Sequence, residues 1–255
     1  MDENQIDESQ VGDPSKDTGH PSDTGHPSDT GHPSGTDQLT TEWFSMEDEF
    51  EVADVPGLPR RHHHVTAVLV SHEGATWLPA ALTNLAAQTR PPEAVVGVDT
   101  GSTDGSLSQL RAAFGSDRVV AADSKLGFGD AVRAGVAHVG QVRVAPSEEP
   151  VEELVEWLWL LHDDSAADLA CLEGLLNTAD DNPSASILGP KILGWHDRRL
   201  LLEVGVSITS SGRRYTGLER REHDQGQHDG VRDVLAVSSA GMLVRREVWQ
   251  RLDGF

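Results

Sequence analysis

The chain has 255 residues, of which 37% are hydrophobic and 24% charged, enough to build one good-sized folded domain. Its formal net charge of −22, with no basic stripe, argues against nucleic acid as a partner. The one cysteine excludes an internal disulfide, and we expect neither a secretory leader nor a membrane span, because the N-terminal residues are acidic and the longest apolar run is short. We therefore expect a cytoplasmic protein.

The first 60 residues are acidic and differ in composition from the rest of the chain. They contain 15 acidic residues against 2 basic ones, a net charge of −13. Between Asp17 and Ser34 the hexapeptide DTGHPS occurs three times in succession, and it offers little apolar surface to bury. The sequence predicts a disordered acidic tail over residues 1–60 and a folded domain over residues 61–255.

Apolar runs and helical patterns alternate from residue 61 onwards. Continuous apolar and β-branched runs at Val65–His72 and Ala94–Val98 predict strands buried on both faces, and Asp117–Asp123 predicts a third strand. Helical patterns follow these strands over residues 75–89, 106–114 and 129–139. This alternation indicates βαβ units and an α/β fold with a mostly parallel sheet flanked by helices.

The second half of the chain begins with the same pattern and then loses it. Val155–Leu161 predicts a fourth buried strand, and residues 168–179 predict a helix with an apolar side made of Leu169, Leu172, Leu175 and Leu176. Shorter strand patterns follow in SILGPKIL, LEVGVSIT and VLAVSSAGMLV, before a closing helix in RREVWQRL. We expect this half to be antiparallel or irregular.

Polar side chains follow three predicted strands at the point where each strand ends. The segments are VSHEG, VDTGSTDGS and LLHDDS. Ligands of open parallel sheets bind at the carboxyl ends of the strands. Asp99 directly follows an apolar strand, where its carboxylate could accept hydrogen bonds from a base or a ribose. Ser102 and Asp104 could equally well form a turn and cap the next helix.

Asp163 and Asp164 are adjacent carboxylates at the end of the fourth strand. Two such charges repel each other in a partly dry site unless a cation neutralises them. Mg²⁺ or Mn²⁺ would do so, because these ions bind one or two carboxylates together with substrate phosphates. Two alternatives stay open: an N-cap pair that opens a helix at Ala166, and a His–Asp metal dyad of a phosphohydrolase formed by His162 and Asp163.

The order and spacing of these motifs resemble those of the inverting glycosyltransferases of family 2, which have the nucleotide-diphosphosugar transferase (GT-A) fold. The resemblance covers roughly Val65 to Phe255 and includes VTAVLVSHEG, AVVGVDTGSTDGS, LGFGDAVRAGV, WLLHDDS and VSSAGMLVRREVWQRLDGF. It implies a metal-dependent enzyme that transfers a sugar with inversion from a nucleotide-sugar donor to a glycan or lipid-linked acceptor. Cell wall polysaccharide synthesis at the inner face of the membrane is the implied setting.

The resemblance also implies roles for individual residues. Ser71, Glu73 and Asp99 would line the nucleotide pocket. Asp163 would meet the ribose or the metal shell, and Asp164 would coordinate Mn²⁺ or Mg²⁺ at the diphosphate. The ion would stabilise charge on the departing nucleoside diphosphate.

The sequence departs from the family at several positions. His72 and Glu73 stand where the family usually has Tyr and Asn, and Thr100 replaces an acidic or amide residue. The family's general base follows a Gly-Gly-Phe-Asp segment, so we expect it beyond Phe255, in a domain incomplete at its C-terminal end. Membrane association through a missing C-terminal region is a further expectation. The alternative without catalysis is a donor-binding module that acts by interaction.

Overall fold

A computed structural model describes residues 61–140 and 153–254. The predicted tail over residues 1–60 lies outside these ranges and stays a prediction. The strands and helices are β1 (Arg61–Ser71), α1 (Leu78–Ala86), β2 (Ala94–Asp99), α2 (Ser106–Phe114), β3 (Val119–Ala121), α3 (Phe128–Val139), β4 (Glu153–His162), α4 (Cys171–Asp181), β5 (Ile187–Leu188), β6 (Ile192–Leu193), β7 (Leu201–Glu203), β8 (Ser207–Ile208), β9 (Arg214–Tyr215), β10 (Leu243–Arg245) and α5 (Arg246–Arg251).

The main sheet has six strands in the order β3-β2-β1-β4-β10-β5. The first four strands of this order are parallel to one another, whereas β10 is antiparallel to both of its neighbours. Between β5 and β10 the chain forms two small antiparallel sheets, β6–β7 and β8–β9. The expected α/β fold, with a mostly parallel sheet flanked by helices, is confirmed. The second half was expected to be antiparallel or irregular, and every described strand after β4 is antiparallel to its neighbours, whereas β4 itself is parallel to β1.

The central strands are apolar on both faces because helices cover both sides of the sheet. In β1, Val65 and Leu69 pack in a cluster with residues of α1, α2 and α4, whereas Val68 and Val70 pack with residues of α3 and α5. Each large apolar side chain buried in this way contributes about 1.5–3 kcal/mol. The packing therefore holds the ends of β1, β2 and β4 in fixed positions.

Helix α4 begins later than the sequence pattern predicted. Asp168 forms a turn, in which its side chain accepts a hydrogen bond from Ala170 N at 3.1 Å and its carbonyl accepts one from Cys171 N at 3.0 Å. Leu169 precedes the helix and is 48% exposed, so its predicted place on the apolar side of α4 is wrong. Because the helix begins at Cys171, the interpretation of Asp163 and Asp164 as its N-cap pair is also wrong.

Two smaller observations concern the helices. Burial raises the pKa of the Cys171 thiol to about 11, and the nearby Asp168 carboxylate adds to the effect, so the thiol stays protonated and unreactive. Among the described residues, no helix has both the length and the apolar character needed to cross a membrane.

Candidate active site

The three polar strand ends meet at the carboxyl edge of the parallel strands. Ser71 at the end of β1 pairs with Asp99 at the end of β2, and Val70 pairs with His162 at the end of β4. This edge is where open α/β sheets bind their ligands. The structure thus brings together the residues that follow the first, second and fourth predicted strands.

The carboxylate of Asp163 is turned back onto β1. Its Oδ2 atom accepts hydrogen bonds from Ser71 Oγ at 2.8 Å and from His72 N at 2.9 Å. A Cβ atom at Gly74 would lie only 2.0 Å from the same oxygen, so any larger residue there would force the Asp163 side chain to move. Sequence reasoning did not identify Gly74, although the Gly of VSHEG was the available signal.

Asp99 is the most deeply buried carboxylate of the site, with an exposed fraction of 1%. Its Oδ2 atom accepts a hydrogen bond from Ser102 N at 3.0 Å, whereas Oδ1 is buried and has no hydrogen-bond partner within the described residues. A buried acceptor left unpaired costs about 1–3 kcal/mol, and more when it is charged. A ligand that donates a hydrogen bond to Oδ1 would remove this cost.

Glu73 forms hydrogen bonds with the turn that follows β2. Its backbone has a positive φ of 52°, and its N–H donates to Ser102 Oγ at 2.9 Å. Its carboxylate accepts a hydrogen bond from Thr103 N at 2.6 Å. The structure therefore brings Glu73 to the expected edge, but engages its carboxylate in holding the backbone of the β2–α2 turn.

The N-cap residue of α2 is Gly105, without a side-chain capping hydrogen bond, so the predicted cap is wrong, but Asp104 forms the predicted turn before the helix. Its carboxylate accepts hydrogen bonds from Ser106 N at 3.0 Å and from Ala75 N at 2.8 Å. The hydrogen bond from the Ser106 hydroxyl is the largest influence that lowers the pKa of Asp104. The carboxylate thereby joins the loop after β1 to the first turn of α2.

Thr100 fixes the ring of His72. The Nδ1 atom of His72 lies 2.9 Å from the carbonyl oxygen of Thr100, and since a carbonyl can only accept, Nδ1 carries the hydrogen. Thr100 N in turn donates to the carbonyl of Ser71 at 2.9 Å. Thr100 thus orients the exposed ring of His72, a role that the sequence did not indicate.

His162 is held between two other side chains. Its Nε2 atom lies 2.9 Å from Ser239 Oγ, and its ring centroid lies 4.2 Å from that of Phe128, with 31° between the planes. Burial lowers the pKa of His162, against the opposing influence of Asp164 and Asp163, and thus favours the neutral ring.

Asp164 is exposed and accepts no hydrogen bond and forms no ion pair within the described residues. No group of three or more His, Cys, Asp or Glu side chains in residues 61–140 and 153–254 is arranged to hold a metal. The two adjacent carboxylates Asp163 and Asp164 instead fit a hard divalent ion that takes one or two carboxylates and completes its shell with phosphate and water. This arrangement gives no support to the phosphohydrolase alternative, which needs further His and Asp ligands.

Comparisons with known proteins identify related sequences and structures. The sequence profile described as "Glycosyl transferase family 2" matches residues 66–251. Two curated N-acetylglucosaminyl-diphospho-decaprenol L-rhamnosyltransferases, from two strains of Mycobacterium tuberculosis, are each 28% identical to the chain over 125 residues, which cover 49% of this chain. The match spans only 40% of the length of these relatives.

Solved structures also match. The mannosyltransferase PcManGT from Pyrobaculum calidifontis, in complex with GDP-Man and Mn²⁺, is 15% identical with a TM-score of 0.46, and the match covers 78% of this chain and 49% of that one. TarS 1-349 from S. aureus, in complex with UDP, is 17% identical with a TM-score of 0.38, and the match covers 53% of this chain and 37% of that one.

Proposed function

Because the chain belongs to glycosyl transferase family 2, we propose that its carboxyl-edge site binds a nucleotide-sugar donor and transfers the sugar to a glycan or lipid-linked acceptor with inversion. The observation that carries this proposal is the unpaired Oδ1 atom of Asp99, buried where β1 and β2 end. A nucleoside supplies the donor groups, as ring N–H or ribose hydroxyl, that such an oxygen requires.

The neighbouring carboxylates, Asp163 and Asp164, have separate proposed roles. Asp163 is held at the end of β1 by Ser71 Oγ and the N–H of His72, where its carboxylate would meet the ribose of the donor or the metal shell. Asp164 accepts no hydrogen bond and forms no ion pair within the described part of the chain, so it is the side chain that would hold Mn²⁺ or Mg²⁺. Such an ion, when bound, supplies Lewis-acid stabilisation of the charge on the departing nucleoside diphosphate.

The acceptor class is proposed from the relatives. The matched Mycobacterium tuberculosis proteins are named for a diphospho-decaprenol acceptor, and the chain spans 40% of their length. We extend the class of acceptor, a lipid-linked glycan, to this chain, together with a place of action at the inner face of the membrane. No observation on the site favours the donor-binding module without catalysis.

Calorimetric titration with UDP, dTDP and GDP, each with and without Mn²⁺, tests the donor site. We expect the wild-type chain to bind at least one of these diphosphates in a manganese-dependent way. Asp99→Asn replaces one acceptor oxygen of the carboxylate by an amide nitrogen, which can only donate. The change should weaken binding by roughly ten- to hundredfold, the equivalent of a charge-assisted hydrogen bond. Asp164→Ala should abolish the effect of Mn²⁺ on affinity.

Asp181→Ala is the matched control, because this carboxylate is exposed at the last residue of α4 and should leave affinity unchanged. Equal affinity of wild type and Asp164→Ala in Mn²⁺ would refute the metal role. If the wild-type chain bound none of the three diphosphates, the donor site itself would be wrong. Release of nucleoside diphosphate in the presence of a sugar nucleotide and a lipid-linked acceptor tests transfer.

A further inference from the structure

His162 connects two parts of the fold that are far apart in the sequence. Its ring packs on Phe128, the first residue of α3, at a centroid distance of 4.2 Å. On another side, its Nε2 atom lies 2.9 Å from the hydroxyl oxygen of Ser239, which is 77 residues away along the chain. The side chain is half-buried, so this hydrogen bond is partly sheltered from water.

Ser239 belongs to a segment that lies along β4. Leu160 N donates to the carbonyl of Met242 at 2.8 Å, and Gly241 N donates to the carbonyl of Leu160 at 2.9 Å. The indole Nε1 of the buried Trp159 donates to the carbonyl of Gly241 at 3.2 Å. The hydrogen bond between His162 and Ser239 extends this attachment to the end of the strand, next to the two site carboxylates.

We propose that His162 is a positioning residue, which couples residues 237–242 and the first turn of α3 to the carboxylates Asp163 and Asp164. This inference rests on the proposed function, since the coupled property is the binding of a nucleoside diphosphate. The backbone of His162 leads directly into Asp163, so the position of the imidazole ring limits where the following carboxylates lie. Ser239 therefore influences donor binding through His162 and without touching the donor.

A double-mutant cycle with His162→Phe and Ser239→Ala tests the coupling. His162→Phe keeps a ring beside Phe128 but loses the hydrogen bond, and Ser239→Ala removes the partner hydroxyl. We expect each single variant to weaken the Mn²⁺-dependent binding of the diphosphate preferred among UDP, dTDP and GDP by about threefold or more. We expect the double variant to bind no more weakly than the poorer single variant, because both changes break one interaction.

Two further variants separate positioning from a general effect on the fold. His162→Gln retains a group that can hydrogen-bond with Ser239, so it should bind more tightly than His162→Phe if the hydrogen bond transmits the effect. Ser108→Ala removes an exposed hydroxyl on α2 and should bind like the wild type. Ser239→Ala deletes a single oxygen, so it keeps the test valid if the substitutions at His162 disturb folding.

The outcomes distinguish this inference from the proposed function. If the wild-type chain binds a diphosphate and Ser239→Ala binds it equally well, the coupling is overturned and the proposed function stands. Additive losses in the double variant would overturn the coupling in the same way. If the wild-type chain binds no diphosphate in Mn²⁺, the proposed function and the coupling are both overturned.

Discussion

The orientation of Asp163 depends on the absence of a side chain at residue 74. Two donors, Ser71 Oγ and the N–H of His72, hold one carboxylate oxygen at 2.8 and 2.9 Å. The backbone of Gly74 passes so close to this oxygen that a methyl group there would clash with it. A glycine within a polar loop is commonly explained by its conformational freedom, but here the close approach of the carboxylate explains it.

Gly74→Ala should displace the Asp163 carboxylate and weaken diphosphate binding. The added Cβ would lie 2.0 Å from Oδ2 and 2.5 Å from Cγ of Asp163, so that side chain must turn away from Ser71. We expect a loss of roughly tenfold or more, equivalent to a lost charge-assisted hydrogen bond, in the same calorimetric titration.

Gly174→Ala is the control for the change from glycine to alanine. Residue 174 lies inside α4, and a Cβ there meets no atom within 4 Å. The substitution should leave affinity unchanged and raise the free energy of unfolding by up to about 1 kcal/mol, because alanine favours the helix. Equal affinities of Gly74→Ala and the wild type would contradict the steric argument.

At the level of elements, the long apolar runs were the dependable signals. The structure places strands β1 and β2 at the predicted runs Val65–His72 and Ala94–Val98, and only His72 lies outside them. These runs are continuously apolar because both strands are covered on both faces. The predicted helix over residues 106–114 coincides with α2. Leu169 was misplaced because the turn at Asp168 interrupts the helical pattern, and leucine spacing does not reveal a turn made by hydrogen bonds.

A pair of leucine substitutions tests the revised start of α4. Leu172 is fully buried, so Leu172→Ala should lower the free energy of unfolding by about 2–5 kcal/mol through lost burial and a cavity. Leu169 is 48% exposed, so Leu169→Ala should change it by about 0.5 kcal/mol or less. Urea denaturation followed by circular dichroism measures both, and similar losses in the two variants would restore Leu169 to the core.

Across the whole molecule, the sequence indicated which strand ends meet at the candidate site but not how their side chains pair. Parallel strand order brings the carboxyl ends of β1, β2 and β4 together, and this follows from the alternation of strands and helices. The contacts of His72 with Thr100 and of His162 with Ser239 join residues that are 28 and 77 positions apart. Such pairs leave no periodic pattern in the chain, so local reasoning did not find them.

The acidic N-terminal sequence contributes much of the negative net charge of the whole molecule, and its removal should affect the binding of an anionic ligand. Removing residues 1–40 deletes nine acidic residues and Lys16, which changes the net charge from −22 to −14. Because the deleted segment has little apolar surface to bury, the melting temperature should change by less than about 2 °C. A less negative chain repels an anionic diphosphate less, so affinity should rise at low ionic strength.

The charge effect and a structural effect of this deletion respond differently to salt. At an ionic strength of about 0.3 M the Debye length is shorter than 8 Å, so the affinities of the shortened and full-length chains should converge. Calorimetric titrations at low and high salt, together with thermal unfolding of both chains, make the comparison. A fall in melting temperature of more than about 5 °C, which exceeds the shift expected for 1 kcal/mol in a domain of this size, would mean that residues 1–40 contribute to the folded unit.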